Sequence, residues 1–366
     1  MVHLSKNEIH NMQIKRIEKE IRDTPYHKAT EHHIGRLRAK LSKLKEQEFE
    51  SSSKKGGGVG YSVKKQGDAT VVLVGLPSVG KSTLLNKLTN AKSKIAPYAF
   101  TTVTVIPGMM EYKDAKIQIL DVPGLIEGAE EGKGRGKEVI SVIRNSDLLI
   151  ILCDVDKTSS FKTISDTLER AGIRLNKTPP KVVIEKKLKG GIHTFTNFKQ
   201  EFSIETIKQI AKEYRVTNAD ITIKEKLSIN RLIDAFSQSR VYIPTIYVVN
   251  KIDLGNEKKK AKQPIHQNII NISAEKSINI EILKEEIWNN LKYVRVYLVK
   301  RDEKPSKNNP IIMNEGDNLI TVAGKIGEEF AEDKTRAKIW GTGAKFKGQE
   351  VSLSTKVAEG MQVRFV

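Results

Sequence analysis

Apolar residues recur at helical spacing in two segments at the start of the chain. The pattern covers residues 9–21 and 34–44, and the pair Thr24-Pro25 separates the two segments. Charged residues dominate the positions between them. This arrangement predicts an amphipathic helical hairpin with a basic outer face. The apolar positions are Ile9, Met12 or Ile14, Ile17 and Ile21 in the first helix, and Ile34, Leu37, Leu41 and Leu44 in the second.

A stretch rich in glycine and serine, residues 51–60, is predicted to be a flexible joint. After it, buried-strand and helix signals alternate along the chain. Strands separated by helices are typical of an α/β fold with a mostly parallel sheet and helices on both faces. The predicted strands are residues 70–74, 115–120, 148–152 and 242–249, and residues 81–88 are a predicted helix.

The interval between the second and the last of these predicted strands is longer than a simple alternation of strands and helices requires. It is about twice the length that two further strand–helix units need, at roughly 30 residues each. Composition places a small inserted α+β domain at 176–239, with β-like runs at 181–184 and 219–223 and a helix at 204–214.

The pattern changes again from about residue 293. Short β runs at 294–299, 337–340 and 362–365 and one helix at 319–326 predict a small α+β domain, which has no evident catalytic cluster. The predicted domains are therefore 1–60, then 61–292 interrupted by 176–239, then 293–366.

Composition and charge restrict the class of protein. Sixty-three Lys and Arg against 44 Asp and Glu leave a net charge of +19, which favours contact with polyanions such as RNA, DNA or ribosomes without choosing among them. The longest apolar run, 148–153, is far shorter than the ~18 residues of a membrane span. It ends at the single cysteine, Cys153, which we interpret as a buried thiol. A soluble cytoplasmic protein is expected, because the charged start of the chain has no signal-peptide core.

Residues 75–82 fit the pattern Gly-x-x-x-x-Gly-Lys-Ser/Thr between a predicted strand and a predicted helix. Glycines let the backbone N–H groups curl toward phosphate oxygens at the helix N-terminus. Lys81 is expected to neutralise the β- and γ-phosphates, and the Ser82 hydroxyl to bind Mg²⁺. The fold class is therefore a P-loop NTPase. The nucleotide-binding residues predicted here are Gly75, Pro77, Ser78, Val79, Gly80, Lys81, Ser82 and Thr83.

A second motif, Asp121-Val122-Pro123-Gly124, ends the strand 115–120. Asp121 is expected to hold Mg²⁺, usually through water, while the Gly124 N–H senses the γ-phosphate. The segment between the phosphate loop and Asp121 is expected to form a mobile switch. Its Thr102, with Thr101 as the alternative, is expected to complete the Mg²⁺ site. The predicted metal ligands are Ser82, Thr102 and Asp121, and the predicted catalytic groups are Lys81, Thr102 and Gly124.

Two further motifs predict that the base is guanine. Asn250-Lys251-Ile252-Asp253 follows the strand 242–249, and Asp253 can accept hydrogen bonds from N1–H and the exocyclic amine of guanine. Adenine lacks these donors and would leave the carboxylate unpaired. Lys251 is expected to lie along the ring, Asn250 to brace the loop, and Ser273-Ala274 to form the last guanine contact.

With these motifs the chain resembles the developmentally regulated GTP-binding proteins, the DRG branch of the Obg-like GTPases. The resemblance implies that residues 293–366 form a TGS domain, a ubiquitin-like β-grasp with Trp340-Gly341 in its core strand. It also implies an insert like a domain of ribosomal proteins, a role at ribosomes in translation, and a regulatory partner protein. The residues that carry it are Lys28-Ala29-Thr30-Glu31-His32-His33 with Gly35, Gly56-Gly57-Gly58-Val59-Gly60, the motifs given above, Phe100-Thr101-Thr102, and Arg240-Val241-Tyr242-Ile243-Pro244.

The insert carries a basic segment, residues 186–191, for which we favour contact with rRNA over a merely solvated face. The five histidines near the start of the chain lack a cysteine or carboxylate cluster and are not expected to bind metal. The sequence does not give the oligomeric state, and a monomer is favoured.

The source of catalysis is less well defined than the nucleotide site. Leu125 stands where many GTPases carry a glutamine that orients water, so slow hydrolysis is expected. A K⁺ ion near the phosphates is a hypothesis from the resemblance, although such GTPases typically have asparagine where this chain has Ser78. Arg135 and Arg144 follow the motif Asp121–Gly124 along the chain, and we interpret them as solvated surface residues. Two alternatives stay open: a nucleic-acid-binding scaffold that barely turns over, and an ATP-using enzyme, against which Asp253 argues.

Overall fold

The computed structural model describes residues 6–53, 67–89, 96–97, 104–122, 135–254, 269–308 and 310–366. These residues fall into two compact units. The first unit comprises Met1–Ser62, Ile126–Arg144 and Lys162–Ile243, and the second comprises Val63–Leu125, Asn145–Phe161 and Pro244–Val366. Within the described ranges, no helix combines the length and the apolar character needed to cross a lipid bilayer.

The helices and strands are numbered in chain order. The helices are α1 Lys6–Asp23, α2 Glu31–Ser53, α3 Lys81–Leu88, α4 Arg135–Arg144, α5 Ser160–Arg170, α6 Ile204–Glu213, α7 Ile229–Phe236, α8 Ile280–Leu291, α9 Leu319–Ile326 and α10 Glu328–Glu332. The strands are β1 Ala69–Gly75, β2 Ala96–Pro97, β3 Thr104–Tyr112, β4 Ala115–Asp121, β5 Leu148–Asp154, β6 Ile173–Leu175, β7 Val182–Lys186, β8 Ile192–Thr196, β9 Ala219–Ile223, β10 Val241–Ile243, β11 Thr245–Asn250, β12 Ile269–Asn271, β13 Tyr293–Leu298, β14 Pro310–Asn314, β15 Arg336–Trp340, β16 Gln349–Ser352 and β17 Met361–Phe365.

A sheet of order β12-β11-β5-β1-β4-β3-β2 forms the centre of the second unit. The strands from β12 to β4 are parallel, and β3 adds antiparallel to β4. Apolar side chains of α3 and α8 pack on one face of this sheet. The opposite face is also buried, and the Cys153 thiol lies there in contact with the Ser160 hydroxyl. The predicted α/β fold with a mostly parallel sheet is thereby confirmed, as is the buried cysteine, whose pKa burial raises to about 11.

The single strand predicted at 242–249 is wrong. The structure divides it at Pro244 into β10 and β11, which belong to different sheets. β10 pairs with β6 in the first unit, whereas β11 pairs with β5 in the second. Proline has no N–H to donate, so a continuous ladder is interrupted at this residue.

The first unit joins the helical hairpin to the insert. α1 ends at Asp23, next to the predicted break, and contacts α2. The insert is a sheet of order β7-β9-β8 packed on α6 and α7, and Ala39 of α2 is part of its buried core. The hairpin therefore packs on the insert, a contact that periodicity along the chain does not predict.

Two residues of α2 explain why this contact is close. Glu31 is buried, and its Oε1 accepts hydrogen bonds from the Ser203 N–H and the Thr206 hydroxyl, both at 2.7 Å. At Gly35, an added Cβ would lie 2.8 Å from the Thr206 methyl group, so the helices approach closely only with glycine there. Glu31 and Gly35 belong to the N-terminal residues that carry the family resemblance, and here they serve packing.

Buried ion pairs support the same unit. The Asp234 carboxylate on α7 accepts two hydrogen bonds from the Arg174 guanidinium, each at 2.7 Å, and a third from Arg240 Nε at 2.8 Å. Arg240 also lies 3.3 Å from Glu46 of α2. Because each charge is paired and hydrogen-bonded, this burial avoids the penalty of an isolated ion.

The C-terminal part of the second unit has its own sheet, of order β14-β13-β17-β15-β16. α9 packs on it around a core that includes Val296, Leu319, Ile339 and Val363. The helix predicted at 319–326 and the strand signals at 294–299, 337–340 and 362–365 are confirmed as α9, β13, β15 and β17. The TGS assignment and the domain boundaries stay predictions.

We expect Glu31→Ala to loosen the first unit, because it leaves a buried N–H and hydroxyl without their acceptor. The free energy needed to open the contact between α2 and α6 is expected to fall by about 2–3 kcal/mol. Amide hydrogen exchange along those helices measures it. The matched control is Glu18→Ala, whose partly exposed pair with Lys45 should contribute under about 0.5 kcal/mol. Equal exchange in the two variants would contradict the role of Glu31.

The same contact has a defined pH dependence. Burial raises the pKa of Glu31, and hydrogen bonds from Ser203 and Thr206 lower it. The lowering effect is the larger of the two, so the pKa lies below the ordinary value of 4.5. The stabilisation is therefore complete above the unfolded pKa and is lost as pH falls through the lower folded value. Exchange protection of α2 should fall over that acidic range in the wild-type protein, and less so in Glu31→Gln.

Candidate nucleotide-binding site

The loop between β1 and α3 has a backbone that only glycine permits at two places. A Cβ on Gly75 would lie 2.3 Å from the Leu152 carbonyl oxygen. Gly80 caps α3 with a φ of 92°, and a Cβ there would lie 2.4 Å from Asn250 Nδ2. The motif glycines therefore let the loop lie close to β5 and to the Asn250 side chain.

The polar groups of this loop are accessible. Pro77, Ser78 and Ser82 are exposed, and Thr83 is half-buried. The Lys81 ammonium lies against the loop, donating to the carbonyl oxygens of Gly75 at 3.0 Å and Leu76 at 3.1 Å. A positive charge and the start of α3 thus lie at the same place, which suits an anionic ligand.

Ser82 and Asp121 meet at the ends of α3 and β4. The Ser82 hydroxyl donates to Asp121 Oδ2 at 2.6 Å. Asp121 is buried, and its Oδ1 has no hydrogen-bond partner among the described residues. A buried carboxylate oxygen with no donor, next to a hydroxyl, is a donor set that fits a hard divalent cation such as Mg²⁺.

Asn250, at the end of β11, connects two loops. Its Nδ2 donates to the Val79 carbonyl oxygen at 2.9 Å, and its Oδ1 accepts from the Ala274 N–H at 2.9 Å. The side chain is buried, as are Val79 and Ala274. The phosphate-loop motif and the Ser273-Ala274 segment are therefore held at a fixed spacing by one carboxamide.

Asp253 lies three residues further on, with a side chain only 9% exposed. A hydrogen bond from Ser273 lowers the pKa of this carboxyl group, so it is ionised at neutral pH. Its Oδ1 has no partner within the described part of the chain. An unpaired buried acceptor beside the Ser273-Ala274 segment fits a ligand that supplies N–H donors, as guanine does.

The structure adds Asp154, which sequence reasoning missed. β5 ends at Asp154, directly opposite Asn250 in the parallel register, and its Oδ2 lies 2.8 Å from the Lys251 ammonium. Burial raises the pKa of Asp154, whereas the contact with Lys251 lowers it. The lowering effects are larger in total, so the pKa lies below its ordinary value. The only sequence signal was a carboxylate at the end of a buried strand.

Several predicted residues lie outside the described part of the chain: Thr101, Thr102, Gly124 and Leu125. Arg144 is described, and its guanidinium donates to the carbonyl oxygens of Ala171 and Ser239 within the first unit. The structure brings together the remaining predicted residues in two groups, the loop 75–83 with Asp121 and the loop Asn250–Asp253 with Ser273-Ala274, and Asn250 links the groups.

Comparison with known proteins adds the following. A family model described as "50S ribosome-binding GTPase" matches residues 70–186, and one described as "C-terminal region of MMR_HSR1 domain" matches residues 189–293. Developmentally-regulated G-protein 3 of Arabidopsis thaliana is 41% identical, over 96% of this chain and 97% of that protein. An uncharacterized GTP-binding protein of Methanocaldococcus jannaschii is 46% identical, over 95% and 90%. The structure of the Schizosaccharomyces pombe YchF GTPase is similar over 84% of this chain and 100% of that chain, with 13% identity and a TM-score of 0.44.

Asp253→Asn tests the base-reading carboxylate. The amide keeps the shape but replaces an acceptor with a donor, so GDP affinity should fall by about 100-fold or more. Affinity for xanthosine diphosphate, whose base has a carbonyl in place of the guanine amine, should rise. Titration calorimetry measures both, with the exposed Glu281→Gln as the control. Unchanged guanine preference would remove Asp253 from this role.

Asp154→Asn tests whether the Lys251 contact positions the lysine. Losing the charge should weaken GDP binding by about 2- to 5-fold, the effect of one partly exposed ion pair. Preference for GDP over ADP should be retained, because Asp253 is unchanged. A variant with wild-type affinity would show that Asp154 does not position Lys251 for the ligand.

Proposed function

The chain belongs to the family of developmentally regulated GTP-binding proteins, and on that premise we propose that it is a slow, Mg²⁺-dependent switch that works on ribosomes. As a member of this GTPase family it binds GTP and hydrolyses it to GDP and phosphate. The proposal concerns which residues perform these steps, what limits the rate, and where the protein acts.

We assign phosphate binding to the loop 75–83 and its lysine. The backbone N–H groups from Ser78 to Thr83 and the start of α3 face the phosphates, and Lys81 exchanges its carbonyl contacts for the β- and γ-phosphates. The observation that carries the assignment is the Asn250 link. It places this loop beside the carboxylate that we assign to the base.

We assign guanine recognition to Asp253, with Ser273 and Ala274 beside it and Lys251 along the ring. The unpaired Oδ1 of Asp253 is the acceptor that guanine satisfies and adenine does not. Asp154 keeps the Lys251 ammonium in place. Asn250 braces the loop, because its carboxamide bonds to Val79 at one end and to Ala274 at the other.

We assign the cation to Ser82 and Asp121, joined by Thr102 when GTP is bound. Mg²⁺ supplies charge neutralisation between the β- and γ-phosphates. The observation that supports this assignment is the unpaired Asp121 Oδ1 beside the Ser82 hydroxyl. Thr102 and Gly124 are assigned from their sequence positions, and they are the groups that distinguish GTP from GDP in a switch of this type.

Slow turnover follows from Leu125, whose side chain cannot orient water. An external group then has to complete the site, as in GTPases activated in trans. The ribosome is the proposed source. The matched family model is described as ribosome-binding, and the net charge of +19 favours an RNA-rich partner. The basic segment 186–191 of the insert, where Leu188 is fully exposed, is one contact surface we expect.

The test is GTP hydrolysis with and without ribosomes. Ribosomes should raise the turnover by at least about tenfold, because groups supplied in trans accelerate GTPases by this much or more. Lys81→Ala, measured alongside, should abolish both rates. If ribosomes bind the protein without raising turnover, the alternative is favoured, namely a nucleic-acid-binding scaffold whose nucleotide site barely turns over.

Turnover in K⁺ and in Na⁺ at equal ionic strength tests the monovalent ion. Faster hydrolysis in K⁺ is expected, and Ser78→Asn should enlarge the difference. Ser78 has a φ of 62°, a backbone conformation that asparagine adopts readily, so this variant should fold. Equal rates in the two salts would remove K⁺ from the proposal.

A further inference from the structure

We propose that the C-terminal sheet carries a binding surface for single-stranded RNA, which we call the Trp340 patch. It consists of Arg336, Lys338, Trp340 and Arg364 on the sheet, together with the loop 345–347. The inference gives the proposed ribosome association a specific RNA contact, and it uses residues that belong to neither the phosphate motif nor the guanine motifs.

Strand alternation separates this face from the core. Ala337 and Ile339 of β15 are buried beneath the sheet, so Arg336, Lys338 and Trp340 lie on the opposite face. Arg364 of β17 is paired with Lys338 in the sheet register. Its guanidinium lies 5.3 Å from the centre of the Trp340 ring, forming a cation–π contact.

The loop between β15 and β16 adds an exposed aromatic side chain. Phe346 is 65% exposed, and the flanking Lys345 and Lys347 are also exposed. The loop is ordered by its own hydrogen bonds, from the Gly348 N–H to the Ile339 carbonyl oxygen at 3.0 Å and from the Lys345 N–H to Gln349 Oε1 at 2.7 Å. A large apolar ring is therefore presented to solvent by a folded loop.

Charge favours a polyanion on this surface. Five cations belong to the patch, and among the described ion pairs one involves them, between Arg336 and the Glu350 carboxylate at 3.0 Å. The Arg364 guanidinium donates to the Glu303 carbonyl oxygen, which leaves its charge uncompensated. The exposed face of the insert sheet is different: it also presents apolar side chains, Val183 and Phe195, but Glu185 and Asp220 lie beside them. The Trp340 patch is the better match to a phosphate backbone.

The combination indicates single strands. An exposed phenylalanine can stack on a base, and lysines on either side can contact the adjoining phosphates. A duplex hides its base faces within the stack, so Phe346 has nothing to stack on there except at the ends. RNA is the nucleic acid that a ribosome supplies.

Fluorescence anisotropy with the full-length protein and a labelled single-stranded RNA of about 12 nucleotides tests the patch. Phe346→Ala should weaken binding by about tenfold, the loss expected for one stacked base. Lys347→Ala should lower the salt slope of the affinity by about 0.7, one phosphate contact. The control Lys356→Ala removes an exposed lysine of the same sheet domain and should leave both values unchanged.

A local reporter decides the question if other basic surfaces dominate the total affinity. RNA should quench the fluorescence of Phe346→Trp, and duplex RNA of the same sequence should quench it much less. Each reporter is read as the change relative to the wild-type protein, because Trp288 and Trp340 fluoresce in every variant. Ile320→Trp, at a half-exposed position on α9, should add no quenching to that background. Equal quenching in the two variants would overturn the proposal. Quenching of Phe346→Trp by polyglutamate but not by RNA would also overturn it and would indicate an acidic protein partner.

Hydrolysis separates this inference from the proposed function. Phe346→Ala should hydrolyse GTP at the wild-type rate without ribosomes, because it leaves the nucleotide loops intact. Loss of RNA binding with unchanged hydrolysis supports the patch. Absence of RNA quenching with ribosome-stimulated hydrolysis intact would remove the patch and leave the switch in place.

Discussion

The carboxamide of Asn250 connects the loop that ends at Lys81 with the loop that contains Ala274. Both of its hydrogen bonds are 2.9 Å long and buried, so removing the side chain leaves two unpaired backbone groups at about 1–3 kcal/mol each. The contact requires glycine at position 80, because a Cβ there would lie 2.4 Å from the Asn250 amide nitrogen. Phosphate binding and base reading can therefore act as one site, because their spacing is set by this residue and by the parallel pairing of β11, β5 and β1.

Much of this site could be predicted from the sequence, for a physical reason. The carboxyl ends of parallel strands meet at one edge of a sheet, so motifs that follow buried strands converge even when far apart along the chain. The sequence predicts in this way that Asp121, Asn250 and Asp253 lie near one another, and their assignment to a ligand stays a prediction. Asp154 was missed because a lone carboxylate at a strand end has no motif around it. The division at Pro244 was missed because an apolar run does not reveal which sheet each half joins.

The first unit shows the limit of periodicity more clearly. The apolar stripe of α2 indicates that another element packs on this helix. That element belongs to the insert, whose Thr206 lies 175 residues beyond Glu31 along the chain. Nothing local in either segment specifies that pairing. Glu31 and Gly35 carry part of the family resemblance, whereas their role in packing depends on the contact of α2 with α6. The TGS assignment and the switch residues Thr102 and Gly124 rest on the sequence alone.

Coupling between the two halves of the nucleotide site can be measured by adding each half of the ligand separately. Amide hydrogen exchange of the segments 75–83 and 272–276 should be followed with guanosine alone and with pyrophosphate alone. If Asn250 links the loops, guanosine will also protect the phosphate loop, and pyrophosphate will protect the Ala274 segment, because coupling between sites is reciprocal. Both effects should disappear in Asn250→Ala. Protection confined in the wild-type protein to the loop that each ligand touches would contradict this account.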